Sequence, residues 1–376
     1  MKKYCSLLLF SLFSVLIAGC ARHSGSIKIG VAVPLTGPQS AIGRDVANAV
    51  KLAADEFNSK DGSEIKIEVT AYDDQSQVKE AANVANKLAS DPECFAVIGH
   101  MVSGCSLPAS EIYARAALAM VTPSSTNPQL TLRGLKNIFR TCPVDDVLGA
   151  GAGEFAVRKL HKKTFAVLHD KTAYGQGVAE EFRKSVLANG GKVLSFEGVS
   201  QGELDYSAVL TKVKDLNPEV LYFGGMYPEG ALIAKQMNSL NLKSVLFSAD
   251  GLYVPEYIRL AEKAAEGTVI TFVAPPYDQV AGAKDFVDKY NKKYGEVKIY
   301  APYAYDAANI IINAIAAAAK SEGAGKLSRA KVIENISKTK EYRGVTGVIS
   351  FDSKGDVIGK QVYFYRVENG KFVWIR

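Results

Sequence analysis

Short apolar runs alternate with stretches of helical periodicity along nearly the whole chain, and this alternation limits the fold more than any other feature. Strand-like runs are read at residues 27–33, 65–71, 95–99, 119–122 and 138–141, with helices over 41–58, 78–89 and 107–117 between them. In the first helix Val46, Val50, Leu52, Ala53 and Phe57 fall on one apolar stripe. Parallel strands need such crossover helices, so the rhythm predicts a mostly parallel, doubly wound sheet. After Pro143 the rhythm restarts. Helices are expected over 145–160, 177–189, 206–216 and 230–240, with strands at 164–169, 192–199, 220–224, 245–248 and 267–273. Helices near 284–294, 303–320 and 328–338 follow, then strands around 348–351, 362–367 and 372–375, with turns at Asp352-Ser353-Lys354-Gly355 and Asn369-Gly370.

Two blocks of this kind predict an α/β fold of two doubly wound, Rossmann-like lobes facing a cleft. Cys142-Pro143, Ala274-Pro275-Pro276 and Phe351-Asp352 are the expected hinge crossings. They divide the chain into a first lobe of residues 26–142 plus 276–351 and a second of 143–275 plus 352–376. Ligands of open α/β sheets sit beyond the carboxyl ends of strands, so the loops there are where chemistry is expected.

The first residues address the compartment. Lys2-Lys3 precede an uncharged apolar stretch from Ser6 to Ala18, the pattern of a signal peptide over 1–19 and too short for a spanning helix. It ends Leu16-Ile17-Ala18-Gly19-Cys20, which resembles a lipoprotein signal in which Cys20 is lipidated and residues 20–25 form a tether. The protein is therefore expected in the periplasm or cell envelope, anchored to a membrane. Cys5 leaves with the signal and Cys20 goes to the lipid, so Cys94, Cys105 and Cys142 remain, an odd number with at least one free thiol.

Several function classes fall away. The formal charge is +6, of which Lys2 and Lys3 supply two, and the rest is scattered with no aromatic platform, so nucleic acid is not an expected partner. No CxxC or Cys/His cluster suggests a metal, and no cofactor is expected. Pro34-Leu35-Thr36-Gly37-Pro38 stands where a dinucleotide fold would carry its glycine fingerprint, and Gly149-Ala150-Gly151-Ala152-Gly153 lies in a helix pattern suited to close packing. Gly198-Val199-Ser200-Gln201-Gly202 matches a nucleophile elbow literally, but no helix follows directly. Cys105 beside His100 has nothing else to activate it. An enzyme is not expected.

Small hydroxyls cluster instead in two post-strand loops, Gly99-His100-Met101-Val102-Ser103-Gly104 and Thr122-Pro123-Ser124-Ser125-Thr126-Asn127-Pro128. Such donors at helix starts suit a carboxylate, though each alone could be a helix cap. Together with Tyr72-Asp73-Asp74, His169-Asp170-Lys171, Tyr174-Gly175-Gln176-Gly177, Gly224-Gly225, Pro228-Glu229 and Tyr277-Asp278-Gln279-Val280, the loops resemble the periplasmic leucine/isoleucine/valine-binding proteins over most of residues 26–360. That family is the type I substrate-binding protein of ABC importers. The resemblance implies a monomer that binds a branched-chain or related neutral amino acid by hinge closure and delivers it to a membrane permease.

Carried over, Ser103 and Thr126 hold the ligand carboxylate, and the Ser124 carbonyl and Asp250 take its ammonium. Met101, Val102, Tyr174, Met226, Tyr227 and Tyr300 line the side chain or close over it. The valine and leucine binders have Glu where Asp250 stands, and a pocket Tyr where this chain has Met226 beside Tyr227. Ser76 and Val102 occupy the places of the family's disulfide. Other readings are a receptor or sensor for another small solute, such as an amide, urea or aromatic acid.

Overall fold

The computed structural model describes residues 27–60 and 65–375. The signal peptide, Cys20 and the tether lie outside the described residues. Five strands form the first sheet: β1 (Ile27–Val33), β2 (Ile67–Asp73), β3 (Cys94–Gly99), β4 (Ala119–Thr122) and β5 (Ile138–Arg140). They are ordered β2-β1-β3-β4-β5, and every neighbouring pair is parallel. The second sheet begins with β6 (Thr164–His169), β7 (Lys192–Gly198), β8 (Val220–Gly224), β9 (Val245–Ser248) and β10 (Val269–Phe272). Between them β11 (Tyr342–Gly344) and β12 (Gly347–Ile349) make a separate hairpin, and β13 (Tyr363–Glu368) and β14 (Lys371–Ile375) return antiparallel to the edge of the second sheet. Its order is β14-β13-β10-β9-β8-β6-β7.

The sequence pattern follows position in the sheet. Central strands lie under helices on both faces and read as unbroken apolar runs: β8 is buried at every residue, and β1 and β3 at all but one. Edge strands β2 and β7 are only partly covered and mix polar with apolar residues. The glycine run 149–153 lies in helix Asp145–Arg158, packed on helix Ala173–Ala188. A Cβ on Gly149 would come within 2.4 Å of the Val178 carbonyl oxygen, and one on Gly153 within 2.7 Å of Ser185 Cβ. These glycines serve helix contact.

The chain passes between lobes at 141–144, at 273–282, and once more after the hairpin. The third crossing falls later than the sequence suggested: residues 352–357 stay with the first lobe, while β13 and β14 join the second as expected. The turn at 352–357 is fastened to the first sheet. Arg140 N–H donates to the Gly355 carbonyl at 3.0 Å, Phe351 bridges Val357, and Asp356 pairs with buried Arg140 at 2.7 Å. Gly355 has φ +96°, and a Cβ there would lie 2.1 Å from the Ile138 carbonyl oxygen. Only 358–362 is left to cross. Helices Ala283–Tyr294, Ala301–Glu322 and Arg329–Ser337 lie with the first lobe, where Ala301–Glu322 packs along Ser40–Asn58.

Candidate functional site

In each sheet the order reverses direction once, between β1 and β3 in the first lobe and between β6 and β8 in the second. Loops at such a switch point diverge and leave a crevice. Here the two crevices face each other, and the loops after β3, β6 and β8 meet those after β4 and β9.

The loop after β3 is built around His100. Gly99 has φ +137°, and any Cβ there would stand 2.2 Å from the Ala32 carbonyl oxygen. His100 is fully buried, with Nδ1 at 2.7 Å from Asp74 Oδ2 and Nε2 at 3.0 Å from the Tyr113 hydroxyl. Asp74 accepts from Nδ1–H, and the tyrosine hydroxyl holds the other ring nitrogen. The His100 carbonyl accepts from Thr122 Oγ1 at 3.0 Å and Ser125 Oγ at 3.0 Å, which ties the loop after β4 to the one after β3. Ser124 Oγ adds a bond to the Met101 carbonyl at 2.8 Å.

Helix Ser103–Arg115 begins four residues before the expected start, so Ser103 is its first residue. The residue before it, Val102, gives no side-chain cap, and the short helix Gln129–Leu132 is preceded by Pro128. Neither Ser103 nor Thr126 is therefore used as a helix cap, the ordinary alternative for such hydroxyls. Ser103 Oγ accepts from the Asn127 N–H at 3.3 Å. Thr126 Oγ1 is buried without a well-formed hydrogen bond. Behind this loop Arg140, fully buried, donates from Nη1 to the carbonyls of Ser125 at 2.9 Å and Asn127 at 3.1 Å, and from Nη2 to Thr131 Oγ1 at 2.7 Å.

The second lobe brings acids and aromatics. Asp250 opens a tight turn after β9 and is fully buried. Its Oδ1 accepts from the Tyr174 hydroxyl at 2.7 Å and its Oδ2 from the Tyr300 hydroxyl at 2.8 Å. Burial pushes the Asp250 carboxyl above its ordinary range, and the two tyrosine hydroxyls hold that rise back. Tyr300 belongs to the first lobe, so this carboxyl group joins both.

Met101, Val102, Ser103, Ser124, Tyr174, Met226 and Tyr300 line a small space of about 10 Å³. Thr126 and Asp250 stand behind that lining. Tyr227 stands apart from it: its hydroxyl donates across the cleft to the Pro38 carbonyl, a contact between lobes. Asn127 Nδ2 donates to the Ala173 carbonyl at 2.6 Å, and Lys298 pairs with Glu256, closing the interface further.

Two residues here were missed in the sequence. Asp145 begins helix Asp145–Arg158 just after the first crossing, and its N–H donates to the Thr126 carbonyl at 2.9 Å. Both its carboxyl oxygens are buried without well-formed hydrogen bonds. Burial raises its pKa to about 8, the neighbouring Thr126 hydroxyl lowers it, and the Asp250 carboxylate adds to the rise. Arg140 is the other. The Val-Asp-Asp stretch after a proline was the only available signal for Asp145, and it reads equally well as a helix start.

The enzyme-like motifs dissolve in the structure. Strand β7 ends at Gly198 and the next helix starts only at Ser207, leaving Ser200 on an exposed turn. Cys105 is buried, and burial pushes its thiol up, away from nucleophilic use. Cys94 and Cys142 are also buried free thiols.

A profile of the periplasmic binding protein family matches residues 26–371. The chain belongs to that family. Among curated relatives, Leu/Ile/Val-binding protein homolog 1 of Brucella abortus (strain 2308) is 36% identical over 366 residues, covering 96% of each chain. A leucine-, isoleucine-, valine-, threonine- and alanine-binding protein of Pseudomonas aeruginosa is 35% identical over 346 residues, 91% of this chain and 90% of that one. Among solved structures, the leucine-binding protein LivK of Thermotoga maritima superposes with a TM-score of 0.86 at 33% identity, covering 93% of this chain and 98% of the other. The branched-chain amino acid transporter substrate-binding protein LivJ of Streptococcus pneumoniae, in complex with isoleucine, gives 0.83 at 29% identity, covering 93% and 100%. This binding protein thus shares its two-lobed architecture with relatives over 93% of its chain. No helix among its described residues is long and apolar enough to cross a membrane.

Proposed function

We propose that this chain is the extracytoplasmic substrate-binding protein of an ABC importer and takes a branched-chain or related neutral α-amino acid between its lobes. An α-amino acid presents carboxylate and ammonium on one carbon. Ser103 and Thr126, with their N–H groups, receive the carboxylate. The Ser124 carbonyl and Asp250 receive the ammonium. Met101, Val102, Tyr174, Met226 and Tyr300 enclose the side chain, while Tyr227 helps to hold the lobes together. The observation that carries this reading is Asp250, a buried carboxylate held by tyrosines of both lobes, which line one space with Ser103 and Ser124 of the first-lobe loops. Ligand contacts from both lobes exist together only when the cleft is shut, so the ligand favours the closed form that a permease recognises.

Calorimetric titration with leucine, isoleucine, valine, threonine and alanine tests the reading. Leucine or isoleucine binds, and Asp250→Ala weakens that binding by about 2–5 kcal/mol, since it strips a buried ammonium of its partner. Binding confined to amides, urea or aromatic acids, indifferent to Asp250→Ala, would favour a different solute. The anchor is proposed at Cys20, with the mature protein a monomer held at the membrane surface. Cys20→Ser releases it from membranes on fractionation, and retention of that variant at the membrane would sink the anchor.

A further inference from the structure

Two short segments are joined twice across the cleft. Residues 298–300 belong to the first lobe and lead into helix Ala301–Glu322, while residues 250–256 of the second run from the turn after β9 into helix Pro255–Ala261. Tyr300 donates to Asp250 at 2.8 Å, and Lys298 pairs with Glu256. The first link lies at the clamp. The second lies outside it, since neither Lys298 nor Glu256 lines the clamp's space.

Both members of the outer link are held from behind. The Lys298 N–H donates to Asp45 Oδ2 at 3.1 Å, and the next carbonyl, of Ile299, accepts from the Tyr277 hydroxyl at 3.3 Å. Asp45 is itself buried and takes the Tyr290 hydroxyl on its other oxygen. Glu256 follows Pro255 in the first turn of its helix, which packs against the helix that carries Tyr227. The Lys298 and Glu256 side chains keep 24% and 17% of their surface, so water and salt still reach the pair. Yet Glu256 Oε2 is buried without a hydrogen bond, and the carboxylate relies on Lys298 as its ion-pair partner. Closing the lobes without that partner would strand a charge, and opening them parts the pair.

We propose that Lys298 and Glu256 form a latch, made when the lobes shut and parted when they open, that sets the strength of ligand binding without touching the ligand. The inference rests on the amino-acid reading of the clamp and concerns the regulation of that site. Where the closed form is a minor state of the free protein, apparent affinity scales with its population, so a latch multiplies the affinity for every ligand by one factor. Residues that touch the ligand act unequally on ligands of different shape. Because salt reaches the pair, the factor shrinks as ionic strength rises, and the grip on the amino acid follows the salinity of the surroundings.

Titration of the full chain with leucine, isoleucine and valine tests the latch, using the wild type, Glu256→Gln, Lys298→Met and the double variant. Matched melting temperatures establish that each variant folds. Each single substitution is expected to weaken all three ligands by a common factor of about threefold to tenfold, chiefly through faster release. The double variant is expected to bind no more weakly than the weaker single, since the link can be lost only once. Raising sodium chloride from about 20 to about 500 mM is expected to weaken the wild type by a similar factor and Glu256→Gln by less than about twofold. The latch falls and the clamp stands if leucine binds but the single substitutions change affinity by less than about twofold, act on one ligand only, multiply in the double variant, or leave the salt response as in the wild type. If none of the three ligands binds the wild type, the amino-acid reading falls and takes this proposal with it.

Discussion

The two lobes share a plan and differ in chemistry. Reading β6 to β10 against β1 to β5, both sheets have the second strand outermost, then the first, third, fourth and fifth. Both place a switch point over the cleft. Yet the first lobe offers hydroxyls and N–H groups on loops braced from behind by buried networks, His100 with Asp74 and Tyr113, and Arg140 with Asp356. The second offers carboxylates, of which Asp145, Asp170 and Glu229 each keep at least one buried oxygen without a partner. The first lobe thus braces its cleft loops with bonded networks, whereas the second keeps several buried carboxyl oxygens without a partner. A receptor for a zwitterion needs both characters, and dividing them between lobes makes binding depend on closure.

The sharpest way to break this contrast is to remove the brace of the first lobe. Arg140→Ala takes the guanidinium from Asp356 and leaves two buried loop carbonyls without their donor, and the expected loss is about 3–5 kcal/mol of stability by urea unfolding. A loss below about 1 kcal/mol would mean that the loop is not held from behind. The second lobe should respond in the opposite sense. Asp145 carries a folded pKa of about 8, above its ordinary 3.8, so the folded form holds a proton that the unfolded form has released. Its contribution is most favourable below about pH 4, declines as pH rises toward 8, and is level beyond, at up to about 1.4 kcal/mol per pH unit. Asp145→Asn should therefore melt progressively higher than wild type between pH 5 and 8. Parallel melting curves across that range would remove Asp145 from the account. The smallest effect expected is at the interface. Tyr227→Phe deletes one hydrogen bond between lobes, about 1 kcal/mol, and weakens leucine about fivefold in titration while the melting temperature holds.

Much of the frame was legible because central strands are continuous apolar runs. β1, β4, β6, β8 and β9 match their sequence-based limits residue for residue. The start of helix Ser103–Arg115 was not legible, since Ser103-Gly104-Cys105-Ser106 are poor helix formers and Pro108 follows. Tertiary placement of that helix above β3 overrides those preferences. The third crossing was misjudged for a related reason. Asp352-Ser353-Lys354-Gly355 reads as an exposed turn, and only the long-range pairing of Asp356 with Arg140 fastens it to the first sheet. Ser103, Ser124, Tyr174 and Met226, singled out by loop chemistry and family resemblance together, do line one space, because each lies within a few residues of a strand's end. Arg140 and Asp145 eluded that approach. Their significance comes from complete burial among residues distant in sequence, which no local pattern reports.

The grip of Arg140 has a mechanical side. One guanidinium holds the loop after β4 through two carbonyls and the foot of the last crossing through Asp356, so loop and foot move as one body. Bending in that strap is thereby confined to 358–362, beyond the clamp. The swing of the second lobe then works against a fixed anvil, since the first-lobe loop it closes upon sits on the same anchor as the pivot.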